Sequence, residues 1–162
     1  MRIKEYKKLN NDTALKKAHS KCERLCHAAV RMRDIKRSKD GSYYFVCIAC
    51  NKKFDVTLFS DKSIYNGRSM HASHYFDSHG MQSVRYDLDN IHLSCSRCNR
   101  QLHGNKENYE INLRHKIGVD RFENLRAKAH RPYKFNIIEL ENMSDEFKMS
   151  AQLNANRLQI KI

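Results

Sequence analysis

Two Cys-x-x-Cys pairs, Cys47-Ile48-Ala49-Cys50 and Cys95-Ser96-Arg97-Cys98, constrain this chain more than anything else in it. Each pair can offer two thiolates to one ion from a tight turn, and two pairs complete a tetrahedral four-cysteine site. A structural zinc on Cys47, Cys50, Cys95 and Cys98 is therefore expected. Between the pairs lie His71-Ala72-Ser73-His74 and Asp89-Asn90-Ile91-His92, and Asn99 follows the last cysteine directly. The ion would hold a frame, and the residues between the knuckles carry the chemistry.

Charge narrows the partners. The chain has 31 Lys and Arg against 18 Asp and Glu, a net +13. A surplus of that size points to a polyanion, with DNA first. The first forty residues hold 13 Lys or Arg against 5 Asp or Glu, so the excess gathers towards the N-terminus. No apolar signal segment follows Met1 and no run reaches membrane-spanning length. Six cysteines are then better read as reduced, partly metal-bound thiols of a cytoplasmic protein than as disulfides. No membrane partner is expected.

The expected architecture is α+β in one compact unit with three parts. Residues 1–40 form a basic arm and helix, 41–118 the four-cysteine core, and 119–162 a C-terminal helical extension. Residues 1–11 lack an apolar period and read as a loose arm. From Asp12, Leu15, Ala18, Cys22, Leu25, Ala29 and Met32 make a helical stripe expected to pack on the zinc module. His19, Cys22 and Cys26 share a face; a second metal site there is conceivable, but the spacing is also that of an ordinary core.

Lys39-Asp40-Gly41-Ser42 is a turn, Tyr43 to Val46 a strand, and Asn51 to Phe54 its return. Residues 55–67 read as a connection with a turn at Asn66-Gly67. Ser69 to Phe76 and Ile91 to Cys95 read as strands, with Val84-Arg85-Tyr86 a short extended piece between them. Beyond Cys98 the pattern is helical, interrupted at His103-Gly104-Asn105. Tyr109, Leu113 and Ile117 then form a buried row ending at Gly118. Val119 to Ala129 is a further helix with Phe122 and Leu125 inward. Pro132 breaks the chain, and Asn136 to Arg157 is a last helix burying Ile137, Leu140, Phe147 and Leu153.

Phosphodiester hydrolysis needs an activated water, a cation on the scissile phosphate and help for the leaving oxygen. His74 is the candidate base, because a neutral imidazole accepts a proton at pH 7. A catalytic divalent metal needs ligands from the strand and from the start of the helix, which nominates His71 and Asn99. His103, about one turn further on, is a further ligand or a leaving-group contact. Arg85, Arg97 and Arg100 suit phosphate contacts, Arg85 being equally readable as a structural ion pair. Arg31 and Arg33 on the basic first helix are further candidates for gripping DNA. His92 is either a buried partner of the site or a surface histidine, and His79 and His115 read as solvated.

Taken together, these motifs resemble the HNH endonuclease superfamily in its zinc-stapled form, and more closely the NinG (Rap) recombination nucleases of lambdoid phages. Arg31-Met32-Arg33-Asp34 is similar to that family's Arg-x-Arg-Asp lead-in, His74-Tyr75 to its Gly-His-Tyr strand, and Arg85-Tyr86 to its Leu-Arg-Phe segment. Asn90-Ile91-His92 with Cys95-x-x-Cys98-Asn99, then Leu102-x-Gly104-Asn105, Tyr109 and Ile117-Gly118, continue the likeness. The resemblance implies a zinc-stapled ββα-metal (HNH) core and a structure-specific endonuclease acting on Holliday junctions and D-loops. It also implies that Asn90 orients His74 by bonding the loop that carries it. Where the family usually has Asp, this chain has His71, and an imidazole there favours Mn²⁺ or Zn²⁺ over Mg²⁺. Cutting a four-way junction symmetrically needs two active sites, so a homodimer is expected. Two other readings use the same residues: a general or site-specific HNH nicking enzyme, and a non-enzymatic zinc DNA-binding protein.

Overall fold

The computed structural model describes residues 3–57 and 70–161, with side chains from residue 12 onward. No proline or glycine precedes Gly41, so nothing in the first forty residues breaks a helix. Helix α1 accordingly spans Ile3–Asp34. The loose arm expected over residues 1–11 is thus helical from Ile3. A missing apolar period bears on what a segment packs against, not on whether its backbone can coil. The turn expected at Asn66-Gly67 lies outside the described residues.

α1 buries Ala18, Cys22, Cys26, Ala29, Val30 and Met32. It lies chiefly along the last helix, α4 (Ile137–Leu158), with a smaller contact to the strands of the cysteine module. The expectation that its stripe packs mainly on that module is corrected here. Cys22 lies beside Ser144 of α4, and His19 Nδ1 is 2.9 Å from Tyr86 Oη, so this stripe is a packing surface. The inward row of α4 is Leu140, Ser144, Phe147, Ala151, Ala155 and Leu158. Leu153, expected inward, is 64% exposed. It stands about half a turn away from Ala151, and small residues occupy the row instead. Asn136 caps α4 by accepting the Glu139 N–H at 2.9 Å.

Three short strands, β1 (Lys36–Arg37), β2 (Tyr43–Val46) and β3 (Lys53–Val56), form an antiparallel sheet that delivers and retrieves the first knuckle. The turn before β2 has Gly41 at φ 87°, a left-handed value that favours glycine. A second antiparallel ladder pairs β4 (Met70–His74) with β5 (Ile91–Cys95), Met70 opposite Cys95 and His74 opposite Ile91. Between them Gln82–Val84 is a 3-10 turn. The extended piece expected at 84–86 is therefore a turn, closed by Arg85 N–H to Gln82 at 3.1 Å and Asp87 N–H to Val84 at 3.2 Å.

After β5 comes a short π-helical turn, Arg97–Gln101, and then three left-handed residues, His103, Gly104 and Asn105. That reversal starts α2 (Lys106–Ile117), which buries Tyr109, Leu113 and Ile117. Gly118 at φ 84° ends it, and α3 (Val119–Ala129) follows with Phe122, Leu125 and Ala129 inward. Among the described residues no helix is long and apolar enough to cross a membrane.

Candidate metal centre and active site

The knuckles meet. The four Sγ atoms of Cys47, Cys50, Cys95 and Cys98 lie within 4.8 Å of one another, with Cys50 and Cys95 at 4.0 Å. Thiolates around one zinc at ~2.3 Å stand roughly 3.8 Å apart, so the donor set and its spacing fit that ion. Two N–H donors already point at sulfur: the Cys95 amide to Cys47 at 3.3 Å and Asn105 Nδ2 to Cys98 at 3.6 Å. Burial first, and the neighbouring sulfurs with it, push the Cys98 thiol up to about 12. Thiols must lose their protons to ligate a metal, so an ion bound here would oppose that shift.

Backbone bonds tie this centre to its supports. Ile48 N–H donates to Leu93 of β5 at 2.9 Å, and Asn112 of α2 donates to Ile48 and Ala49 carbonyls at 2.8 and 3.2 Å. Among the described residues, no other group of three or more His, Cys, Asp or Glu comes close enough to hold an ion.

Strand alternation puts His71, Ser73, His92 and Ser94 on one face of the β4–β5 ladder. There His71 Nε2 is 2.9 Å from Ser96 Oγ. Ser73 Oγ donates to Asn99 Oδ1 at 2.7 Å and also meets Ser94 Oγ. His71 and Asn99 therefore share a polar face joining strand to helix start. His103 is exposed on the left-handed turn, φ 47°, outside this set.

His74 ends β4 and by alternation belongs to the other face. Its Nε2–H donates to the Arg85 carbonyl at 2.9 Å, which leaves Nδ1 as the acceptor nitrogen. Burial lowers its pKa below the usual 6.5, and the Arg85 carbonyl works against that shift without reversing it. The ring is thus neutral at pH 7. α2 secures the strand end: Lys106 Nζ donates to the His74 carbonyl at 2.9 Å and to that of Tyr75, and Tyr109 Oη donates to the Ser73 carbonyl at 2.8 Å.

Asn90 is fully buried. Its Oδ1 accepts the Phe76 N–H at 2.7 Å, and its Nδ2 donates to the Phe76 and Val84 carbonyls, each at 3.0 Å. Its carbonyl accepts the Tyr75 N–H at 2.9 Å. One side chain thus grips both the segment that leaves His74 and the residue before Arg85, whose carbonyl holds the imidazole.

The arginines divide. Arg97 and Arg100 are exposed on the π-helical turn. Arg33 is turned inward: Nε donates to Asp34 at 2.9 Å, Nη1 to the Leu88 carbonyl at 2.8 Å and Nη2 to that of Ile91 at 2.7 Å. Arg33 Nη2 also sits 2.8 Å from His92 Nδ1, and His92 is 2% exposed, which removes the surface reading of that histidine. Arg85 Nη2 donates to Glu23 at 3.0 Å. Arg31 lies half-buried on α1. His79 and His115 are exposed.

Sequence reasoning passed over His27, whose ring centroid lies 5.9 Å from that of His74. Its signal was the row Glu23, His27, Arg31 at four-residue steps along α1. Lys106 and Tyr109 gave no sign of their backbone bonds, since carbonyl partners leave no mark in sequence.

The model of the bacteriophage lambda NinG protein family matches residues 2–157. The chain belongs to that family. Comparison with curated proteins and with solved structures gave no match. Membership covers nearly the whole chain, α1 and α4 included.

Proposed function

We propose that this chain is a metal-dependent, HNH-type DNA endonuclease that cuts branched recombination intermediates, Holliday junctions and D-loops, in the cytoplasm of a phage-infected host. The observation that carries the reading is the setting of His74. Its Nε2–H is committed to the Arg85 carbonyl, so Nδ1 is free to take a proton from water, and Asn90 holds both ends of that arrangement. A structural site of this kind gains nothing from a half-buried imidazole kept neutral beside cationic arginines. A base for hydrolysis does.

Cys47, Cys50, Cys95 and Cys98 hold the structural zinc in this reading. His71 and Asn99 present a nitrogen and an oxygen donor on the polar face of the ladder, where they would hold a divalent ion such as Mn²⁺ with open positions for phosphate, while His74 works from the strand end on the other face. Bound there, the ion supplies a Lewis acid for the phosphate. His103, exposed on its left-handed turn, stands outside that pair. The chain's own residues do the rest. Asn90 orients, His74 takes the proton, and Arg85 with the exposed Arg97 and Arg100 holds backbone phosphates. Two copies place two sites on one junction, so the active form is a homodimer.

The test compares the zinc-loaded protein with His74→Ala on labelled Holliday junction and on linear duplex of the same sequence, with Mg²⁺ and Mn²⁺ added separately. Junction cleavage that falls by roughly 10²–10⁴-fold in the mutant supports the reading. Equal cutting of both substrates would leave a general HNH nicking enzyme. Tight DNA binding with no cleavage under either metal would leave a zinc DNA-binding protein. Because the folded pKa of His74 is lowered, cleavage should rise with pH to a midpoint below 6.5 and be flat through pH 7.

A further inference from the structure

Beside the sulfur cluster lies a cavity of about 470 Å³. Lys52 and Phe54 line it from the chain entering β3, Arg97 and Leu102 from the π-helical turn, and Cys50 and Cys95 along one wall. An ion among the four sulfurs would take a small share of that space, since even a water molecule takes only ~30 Å³. Ligand pockets run from about 300 to 1,000 Å³, so the space suits a small molecule or one unit of a polymer.

The frame around it is held by backbone bonds. The Cys47 N–H donates to the Lys52 carbonyl at 3.0 Å, and the Leu102 N–H to the Arg97 carbonyl at 3.0 Å. Phe54 stacks on the buried Phe45 ring, 5.4 Å between centroids and 18° from parallel, while remaining half-buried itself. Leu102 is 44% exposed, a large apolar side chain left in water beside the cavity. No carboxylate lines the space, and among the described residues the exposed Lys52 and Arg97 have no ion-pair partner. Ser96 belongs to the same wall and lies 2.9 Å from His71 Nε2, so the cavity adjoins the polar face of the β4–β5 ladder. An aromatic ring, an aliphatic wall and two cations without counter-charge are what an unstacked nucleobase and its phosphate require: the base stacks and the phosphate pairs. The net charge of +13 favours such an occupant over an apolar peptide.

We infer that this cavity binds one unpaired nucleotide of the DNA substrate, its base stacked between Phe54 and Leu102 and its phosphate held by Lys52 and Arg97. The inference rests on the branched-DNA reading and supplies a physical basis for it. In a continuous duplex every base is paired and stacked, whereas a branch point offers bases that leave the stack at small cost. Through Ser96, the occupied cavity sets the neighbouring phosphate beside His71.

The test uses the full-length zinc-loaded protein without added Mg²⁺ or Mn²⁺, so that binding is read apart from cleavage. Three fluorescein-labelled duplexes are compared by anisotropy: one continuous, one with a single bulged thymidine, and one whose bulged nucleotide is abasic. The abasic bulge keeps the phosphate and removes only the base. Binding of the thymidine bulge roughly tenfold tighter than the abasic one is expected. Phe54→Leu, checked for zinc content and melting temperature because Phe54 packs on Phe45, should abolish the difference, and Phe54→Tyr should keep it. Leu102→Asp, which leaves that ring pair untouched, should abolish it by setting a carboxylate in the cavity. Equal affinity for the two bulges overturns the pocket, as does a base preference that survives either Phe54→Leu or Leu102→Asp in a folded protein. Junction cleavage without base preference keeps the nuclease and overturns the pocket. Base-dependent binding, lost in both variants, by a protein that cuts no DNA keeps the pocket and overturns the nuclease.

Discussion

Two polar clusters hang from the same helix and are finished differently. At the end of α1, Asp34 is closed on all sides: Arg33 donates to both of its oxygens, Lys116 Nζ reaches it at 3.0 Å and the Leu93 N–H at 3.0 Å. Burial alone would push the Asp34 carboxyl up, but His92, Arg33 and Lys116 outweigh it and hold the group far below the carboxylate range. Earlier on α1, His27 packs against the His74 ring, and His27, Arg31 and Arg85 each bury one nitrogen without a hydrogen-bond partner among the described residues. A closed knot resists change and contributes to stability. One with buried donors left unmet contributes little to stability. The contrast explains why two arginines two positions apart in one motif, Arg31 and Arg33, have unlike roles.

The largest expected effect abolishes both clusters at once. Removing zinc with a chelator, or Cys95→Ser, should unfold the β4–β5 module, since structural zinc sites supply about 10–16 kcal/mol of folding free energy. Loss of the near-UV circular dichroism signal on chelation, and its return with zinc, is the check. A protein that keeps its signal without metal would separate the clusters from the knuckles.

Next comes the closed knot. Asp34→Asn leaves Arg33 and Lys116 without their counter-charge and should cost about 3 kcal/mol in urea unfolding. Its pH signature has a definite sign. The folded pKa of Asp34 is depressed, so its stabilisation is present above the unfolded carboxylate range and lost as pH falls below ~4. The mutant should lack that acid limb.

In the open cluster the order of effects reverses. Arg31→Gln should alter stability by no more than about 0.5 kcal/mol, yet lower the salt slope of DNA binding by about one. A stability loss as large as that of Asp34→Asn would mean that the cluster is closed after all. The last effect belongs to His27 and shows only as pH falls. Burial lowers its pKa to about 4, with His74 adding to the shift, so the folded state refuses a proton that the unfolded chain accepts near 6.5. Stability should fall as pH drops from 6.5 to 4, by about 1 kcal/mol after allowance for partial exposure, and His27→Gln should flatten that slope.

Local patterns carried much of this protein. The cysteine spacing named the four sulfurs that come together as a candidate metal centre, the runs Tyr43 to Val46 and Ile91 to Cys95 became strands with those bounds, and Gly118 and Pro132 closed the elements expected to end there. Asn90, Asn99 and His71 stood out because their types and spacing are unusual in a structural turn. Such features depend on neighbours in sequence, where period, capping and turn chemistry act. What only the tertiary structure decided is which face meets which. Residue spacing could not say that α1 lies on α4, which hides Ala151 and Ala155 and leaves Leu153 in water. Nor could it say that Val84 to Tyr86 turns, that Arg33 bonds the Leu88 and Ile91 carbonyls, or that His27 stands beside His74. Those outcomes follow from packing two distant segments against one another, and the free energy that selects them is spread over contacts that no short window of sequence contains.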